Sequence, residues 1–232
     1  MEKQKYAAIV LAAGSGKRMN SQVHKQYLII QDRPVLYYSL KEFEDSAVDE
    51  IVLVVGKGEE EFCRREIVDK YGISKVKAIV EGGKERYHSV FEGLKQTSDA
   101  DYVLIHDGAR PFVNQDIIRR CMQEVQKYQA CVVGMPVKDT IKIADEEGYA
   151  KQTPDRKNVW MIQTPQTFSY ALIYEAYEEM LKTEDAAITD DAMVLERIKG
   201  KKSKLIEGSY RNIKITTPED LLIANVHLQY PE

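Results

Sequence analysis

A chain of 232 residues with a formal charge of −4 has room for one α/β catalytic domain and can bury a core without disulfide or metal staples. Its residues are 44% hydrophobic and 30% charged, and no apolar run approaches the ~20 residues of a membrane helix, so no membrane partner is expected. The negative balance excludes a surface coated with Lys and Arg for nucleic acid but leaves small anionic ligands open.

The amino terminus, MEKQKYAAIVLAAG, carries a short apolar stretch that runs into glycines rather than a small-residue cleavage site, so no secretion signal is expected. AAIVL reads as a strand, and PVLYYSLKEF as a helix with Pro34 in its first turn. The alternation continues through EIVLVV, EEFCRREIVDKY, VKAIV and ERYHSVFEGLKQ, then DYVLIH, NQDIIRRCMQEVQKY and ACVVGM. Strand-length runs alternating with helical patterns predict an α/β fold built on a mostly parallel sheet. Gly82 and Gly83 punctuate a turn, and TTPED offers Thr217 as a helix N-cap with Pro218 at the first helical position. Cys63, Cys121 and Cys131 are scattered without metal-ligand spacing, which predicts reduced thiols in a cytoplasmic protein.

One stretch breaks this rhythm. Val137 to Phe168 reads as short strands around a turn at DEEG, leaving the sheet and returning to it. The residues alone allow two readings, an arm that contacts a second subunit or a surface hairpin on a monomer. Trp160 is expected to pack the arm or its interface. With no repeat, linker or low-complexity tract, residues 1–232 are expected to form a single domain.

The segment LAAGSGKRM, Leu11 to Met19, follows the first strand. Gly14 and Gly16 let backbone amides approach an anion closely, and the positive end of a following helix would reinforce them. It is not a Walker A loop, which would need glycine at Leu11 and Ser or Thr at Arg18, nor the dinucleotide fingerprint, which would need glycine at Met19. What remains is an amide-lined loop beside Lys17, Arg18 and Lys25, a set suited to a triphosphate under attack at one phosphorus.

Together with HKQYL, GGKERYHSV, HDGARPF, VKDT, DRKNVWMIQTPQTF, ITDDA and NIKITTPEDL, this loop resembles in order and spacing the 2-C-methyl-D-erythritol 4-phosphate cytidylyltransferases of non-mevalonate isoprenoid synthesis. The resemblance runs from about Ala8 to Leu221. It implies a Rossmann-like nucleotidyltransferase fold with a protruding β-arm, CTP as substrate, Mg²⁺, release of pyrophosphate, and a homodimer whose arm enters the partner's active site. On matching positions it implies that Arg18 and Lys25 meet the α-phosphate, while Arg156 and Lys214 hold the acceptor's phosphate. It assigns nucleotide recognition to Ala12, Ala13, Gly14 and Gly16 with Gly83, Lys84 and Ser89. Asp107, Arg110, Thr140, Thr164 and Thr189 would surround the acceptor, with Thr140 and Arg156 supplied by a neighbouring subunit. Asp107 would meet acceptor hydroxyls or lie near the magnesium, and no residue is assigned as a metal ligand. The chain departs from the family at His24, where proline is frequent, at Gly108, where alanine is frequent, and at Pro154 beside Arg156.

A phosphate monoester is mostly dianionic at neutral pH and needs no general base. Accordingly, none of His24, His88, His106 and His227 sits in a nucleophile-base arrangement. Two rival functions stand beside cytidylyl transfer to methylerythritol phosphate. One is transfer to ribitol 5-phosphate, whose enzymes usually show LAGG and DSVRP where this chain has LAAG and DGARP; the other is a non-catalytic nucleotide-binding module.

Overall fold

The computed structural model describes residues 3–14, 23–182 and 188–230. Gly16 and Arg18 lie outside them. The first strand, β1 (Tyr6–Ala12), is followed by a small hairpin, β2 (Ile29–Ile30) and β3 (Arg33–Pro34), and by α1 (Val35–Asp45). Next come β4 (Glu50–Val55), α2 (Glu60–Cys63) continuing as a π-helical stretch (Arg64–Asp69), β5 (Val76–Glu81) and α3 (Arg86–Leu94). The alternation closes with β6 (Tyr102–Asp107), α4 (Gln115–Tyr128) and β7 (Ala130–Pro136). A two-stranded excursion, β8 (Ile143–Ala144) and β9 (Ala150–Gln152), precedes β10 (Trp160–Ser169), α5 (Tyr170–Met180), α6 (Asp191–Lys199), β11 (Lys204–Glu207) and α7 (Pro218–Gln229).

Seven strands form one sheet in the order β11-β7-β10-β6-β1-β4-β5. Only β10 runs against its neighbours. The strand period of two explains why β1 is apolar throughout: both faces are covered. Ala8 and Val10 pack with Leu36, Leu40 and Phe43 of α1 and Ile117 of α4 on one side. Ala7 and Ile9 pack with Val90 and Leu94 of α3 and Ile173 and Tyr177 of α5 on the other. Strand order reverses at β1, which pairs in parallel with β4 on one side and β6 on the other. The carboxyl ends of β1 and β6 therefore open onto the crevice where doubly wound sheets take ligands.

The Thr217 cap forms as expected, with Asp220 returning the hydrogen bond and Pro218 opening α7. Pro34 sits one position earlier than expected: it is the N-cap residue of α1 and pairs with Ile29 in the small hairpin. The larger correction concerns the arm. The excursion from Val137 does not extend to Phe168, because the chain rejoins the sheet at Trp160 and β10 occupies a central place between β6 and β7. Its Gln163, Thr164, Gln166 and Thr167 are buried polar residues, and its register shifts between Ile162 and Gln166 around Pro165. A strand that is polar, irregular and proline-containing carries none of the usual marks of a central strand.

Candidate active site

A cavity of about 490 Å³ lies at the carboxyl ends of β1 and β6. The end of β1 contributes Ala12, and the residues after it Ala13 and Gly14; a 3₁₀ turn (Lys25–Tyr27) contributes Lys25 and Gln26. The loop after β5 brings Gly83 and Lys84, and the start of α3 brings Arg86 and Ser89. Asp107 closes β6, and Lys214 reaches in from the segment between β11 and α7. Nine residues singled out in the sequence thus share one cavity: Ala12, Ala13, Gly14, Lys25, Gly83, Lys84, Ser89, Asp107 and Lys214.

Short local contacts explain how these loops hold their shape. The buried Gln26 side chain donates to the Ala12 carbonyl at 2.5 Å, tying the Lys25 turn to the end of β1. The Gly83 amide donates to Ser89 Oγ at 3.1 Å, folding the loop onto the first turn of α3. Gly82 permits the two loops to touch, since a Cβ there would stand 2.5 Å from the Ala13 Cβ and 2.7 Å from Ser89 Oγ. Glu85 and His88 cap α3 reciprocally.

Asp107 is the electrostatic centre. Lys214 Nζ lies 2.8 Å from its Oδ2, Arg86 Nε 3.4 Å from its Oδ1, and Arg110 Nε 3.8 Å from its Oδ2. Burial alone would raise its pKa, but the neighbouring Arg86, Lys214 and Arg110 charges outweigh that and hold it well below the usual carboxylate range. Arg86 in turn grips the fully buried Asp191, which also accepts from the Tyr177 hydroxyl at 2.5 Å. A surplus of cations around a permanently ionised carboxylate makes the cavity receptive to phosphate.

The remaining expected residues are placed differently. Thr164 is buried, and its hydroxyl accepts from the Asp107 amide at 3.0 Å and meets His106 Nδ1 at 3.0 Å. Arg110 lies largely buried beneath Asp107 and donates to the Asn212 carbonyl at 2.8 Å. Thr189 is exposed just ahead of α6. Thr140 and Arg156 are exposed on the arm, outside the cavity lining, and Arg156 donates to the Lys138 carbonyl at 2.9 Å. His106 is wholly buried between Thr164 and the Arg110 carbonyl, and burial pushes its pKa down to about 4, so it is neutral and structural.

Sequence reasoning passed over Arg86, Gln26 and Asp191. Each stands inside a quoted motif, GGKERYHSV, HKQYL and ITDDA, but their neighbours drew the attention because they matched expected ligand contacts. Asp191 is buried only by the fold, so the need for Arg86 as its partner left no mark in the sequence.

The family model described as IspD, 2-C-methyl-D-erythritol 4-phosphate cytidylyltransferase, matches residues 6–230. A protein of that description from Lachnospira eligens is 54% identical over 224 residues, covering 96% of this chain and 98% of that one. Another from Lachnoclostridium phytofermentans is 50% identical over 226 residues, covering 97% of each. The crystal structure of 4-diphosphocytidyl-2C-methyl-D-erythritol synthase from Anaerococcus prevotii superposes with a TM-score of 0.86 at 37% identity, covering 98% of this chain and 97% of that one. With the family model spanning residues 6–230 and relatives of 50% and 54% identity covering nearly its whole length, the chain belongs to the 2-C-methyl-D-erythritol 4-phosphate cytidylyltransferase family.

Proposed function

We propose that this protein transfers CMP from CTP to 2-C-methyl-D-erythritol 4-phosphate, giving 4-diphosphocytidyl-2-C-methyl-D-erythritol and pyrophosphate. The observation that carries this reading is the convergence of the glycine-loop backbone, Lys25 and the Asp107–Lys214 pair on one cavity at the switch point of the sheet. A phosphate oxygen of the acceptor attacks the α-phosphorus, a new P–O bond forms, and the bond to the β-phosphate bridging oxygen breaks as pyrophosphate departs with its electron pair. Lys25 and Arg18 stabilise charge accumulating on the α-phosphate oxygens. Lys214, held by Asp107, is aimed at the acceptor phosphate, and Asp107 accepts from acceptor hydroxyls. Backbone around Ala12, Ala13, Gly14 and Gly16, with Gly83, Lys84 and Ser89, grips the nucleotide; a carbonyl there separates cytosine, which donates through its amine, from uracil, which accepts.

Arg110 and Thr164 support Asp107 from below, and Thr189, two residues before α6, is assigned to the acceptor through the family resemblance alone. Thr140 and Arg156 act across a homodimer, which the exposed arm at residues 137–159 favours, with Ile143 and Tyr149 left uncovered on it. We take residues 1–232 as one domain and the protein as cytoplasmic; the buried free thiols of Cys63, Cys121 and Cys131 suit a reducing compartment. Among the described residues no helix is long and apolar enough to cross a membrane.

Magnesium fits the donor set. Among the described residues no group of three His, Cys, Asp or Glu forms a dedicated metal cage. A Mg²⁺ carried on a triphosphate takes most of its shell from phosphate and water, with at most one or two carboxylates, for which the cavity offers Asp107 and Glu85. When bound, it neutralises charge on the departing pyrophosphate.

The deciding experiment is pyrophosphate release from ATP, CTP, GTP and UTP, each with 2-C-methyl-D-erythritol 4-phosphate or ribitol 5-phosphate. Release confined to CTP with the first acceptor is expected. Preference for ribitol 5-phosphate, or CTP binding without release, overturns the proposal.

A further inference from the structure

The turn that carries Lys25 is bonded on one side and contacted on the other by one acidic side chain on a different strand connection. Glu59 follows β4 and is largely buried. Its Oε1 lies 2.7 Å from Nδ1 of His24, immediately before Lys25, a close polar contact without hydrogen-bond geometry. Its Oε2 accepts from the Tyr27 hydroxyl at 2.7 Å, two residues after Lys25, and from the Gly56 amide at 3.0 Å. Gly56 is required for that approach, since a Cβ there would stand 2.6 Å from the carboxylate. The Tyr27 hydroxyl also lies 3.0 Å from Cys63 Sγ, and its ring packs edge-on against Phe62. Burial, with Cys63 and Glu59 adding to it, raises the Tyr27 pKa, so the phenol stays protonated and donates.

We propose that Glu59 is a positioning residue for Lys25, holding Tyr27 by a hydrogen bond and abutting His24 so that the intervening ammonium meets the α-phosphate in reactive geometry. The inference rests on the cytidylyl transfer proposed above. Lysine is a point charge on a flexible stem, and its value in the transition state depends on how firmly its backbone is held. Gln26, the other neighbour in the turn, is already fixed to the end of β1 through the Ala12 carbonyl. Glu59 supplies the second anchor, from the end of β4, so the turn is braced against two adjacent strands of the sheet.

The test is a double-mutant cycle on CMP transfer, with CTP affinity measured separately by calorimetry. Glu59→Ala is expected to lower kcat on the order of tenfold with the Kd for CTP changed less than about threefold. Glu59→Gln keeps an acceptor oxygen for Tyr27 and Gly56 and is expected to restore most of the rate. In a Lys25→Met background, Glu59→Ala is expected to cost no more than about twofold further, because both changes remove the same contact. Multiplicative losses, or unchanged kcat in a folded Glu59→Ala protein, overturn the inference. Should Glu59→Ala fail to fold, Tyr27→Phe carries the same test: a loss of kcat that vanishes in the Lys25→Met background supports it, and full activity overturns it. An inactive wild-type protein would instead overturn the functional reading, and this inference with it.

Discussion

Arg86 holds Asp191 through both terminal nitrogens, each donating at 2.8 Å, while its Nε reaches toward Asp107. One guanidinium at the start of α3 thus bridges a wholly buried carboxylate at the start of α6 and the cavity carboxylate at the end of β6. Replacing it with Met would leave the buried Asp191 carboxylate with only the Tyr177 hydroxyl donating to it. Arg86→Met is expected to destabilise the fold by about 3 kcal/mol, the usual cost of orphaning a buried charge. Urea unfolding at neutral pH measures it, and a change within about 0.5 kcal/mol would show that Asp191 finds compensation elsewhere.

Lys25→Met and Lys214→Met should separate by substrate. Lys25 lines the cavity and is proposed to meet the α-phosphate of CTP, so its loss is expected to lower kcat by about 10² to 10³ with CTP binding little changed. Lys214 is paired with Asp107, so its loss is expected to raise KM for the acceptor as well as lower kcat. Steady-state kinetics with each substrate varied in turn reads both, and equal effects on the two KM values would contradict the assigned division.

How far the sequence reached can be judged residue by residue. The alternation of AAIVL, EIVLVV and DYVLIH exposed the parallel core because buried strands are apolar on both faces, a signal that needs no tertiary knowledge. The same rule hid β10, where buried Gln163, Gln166 and Thr167 occupy core positions and the two glutamines bond within the protein. The glycine loop and Asp107 were legible because each follows a strand's carboxyl end, whereas Gly83, Lys84 and Ser89 stood out only through the family resemblance. The support of Asp107 by Thr164 and Arg110 was not legible, since it depends on β10 lying beside β6 and on residue 212 passing beneath. Glu59 was invisible for the same reason: only the folded chain brings it to Tyr27, 32 positions away.

The buried His106 predicts a specific stability profile. Its pKa of about 4, in place of 6.5, means that the unfolded chain binds the proton more readily than the native one between those values. Stability therefore rises with pH across this window and is lost as pH falls through it, by about 3 kcal/mol at 1.36 kcal/mol per pH unit. Asp107 acts lower: its carboxylate pKa is depressed in the folded protein, so its contribution is complete above about pH 4 and fades only below that. Urea midpoints between pH 4.5 and 7.5 would display the slope, and His106→Gln should flatten it. A slope that survives the substitution would assign the effect to another group.

The rate should carry a different pH signature. The nucleophile is the acceptor's own phosphate, whose second pKa near 6 governs how much dianion is present. The Asp107 carboxylate does not titrate there, since the surrounding cations hold its pKa well below the usual carboxylate range. The value of kcat/KM for the acceptor is thus expected to fall about tenfold per pH unit below 6 and to level off above 7. An additional loss on the alkaline side between 7 and 9 would reveal an enzymatic acid that this scheme lacks.

The arm yields the strictest prediction about assembly. Arg156 and Thr140 are exposed and lie outside the lining of their own chain's cavity, while Lys25 and Lys214 line it. If the arm completes a partner's site, a protein carrying Arg156→Met and one carrying Lys25→Met are each nearly inactive alone. Mixed and allowed to exchange subunits, they form dimers in which one of the two sites combines an intact Lys25 with an intact Arg156. With equal amounts and random exchange, half the dimers are mixed, so activity should recover to about a quarter of the wild-type value. Light scattering on the same samples checks for the dimer mass. A monomer at working concentration, or mixtures no more active than their components, would place Arg156 outside the reaction.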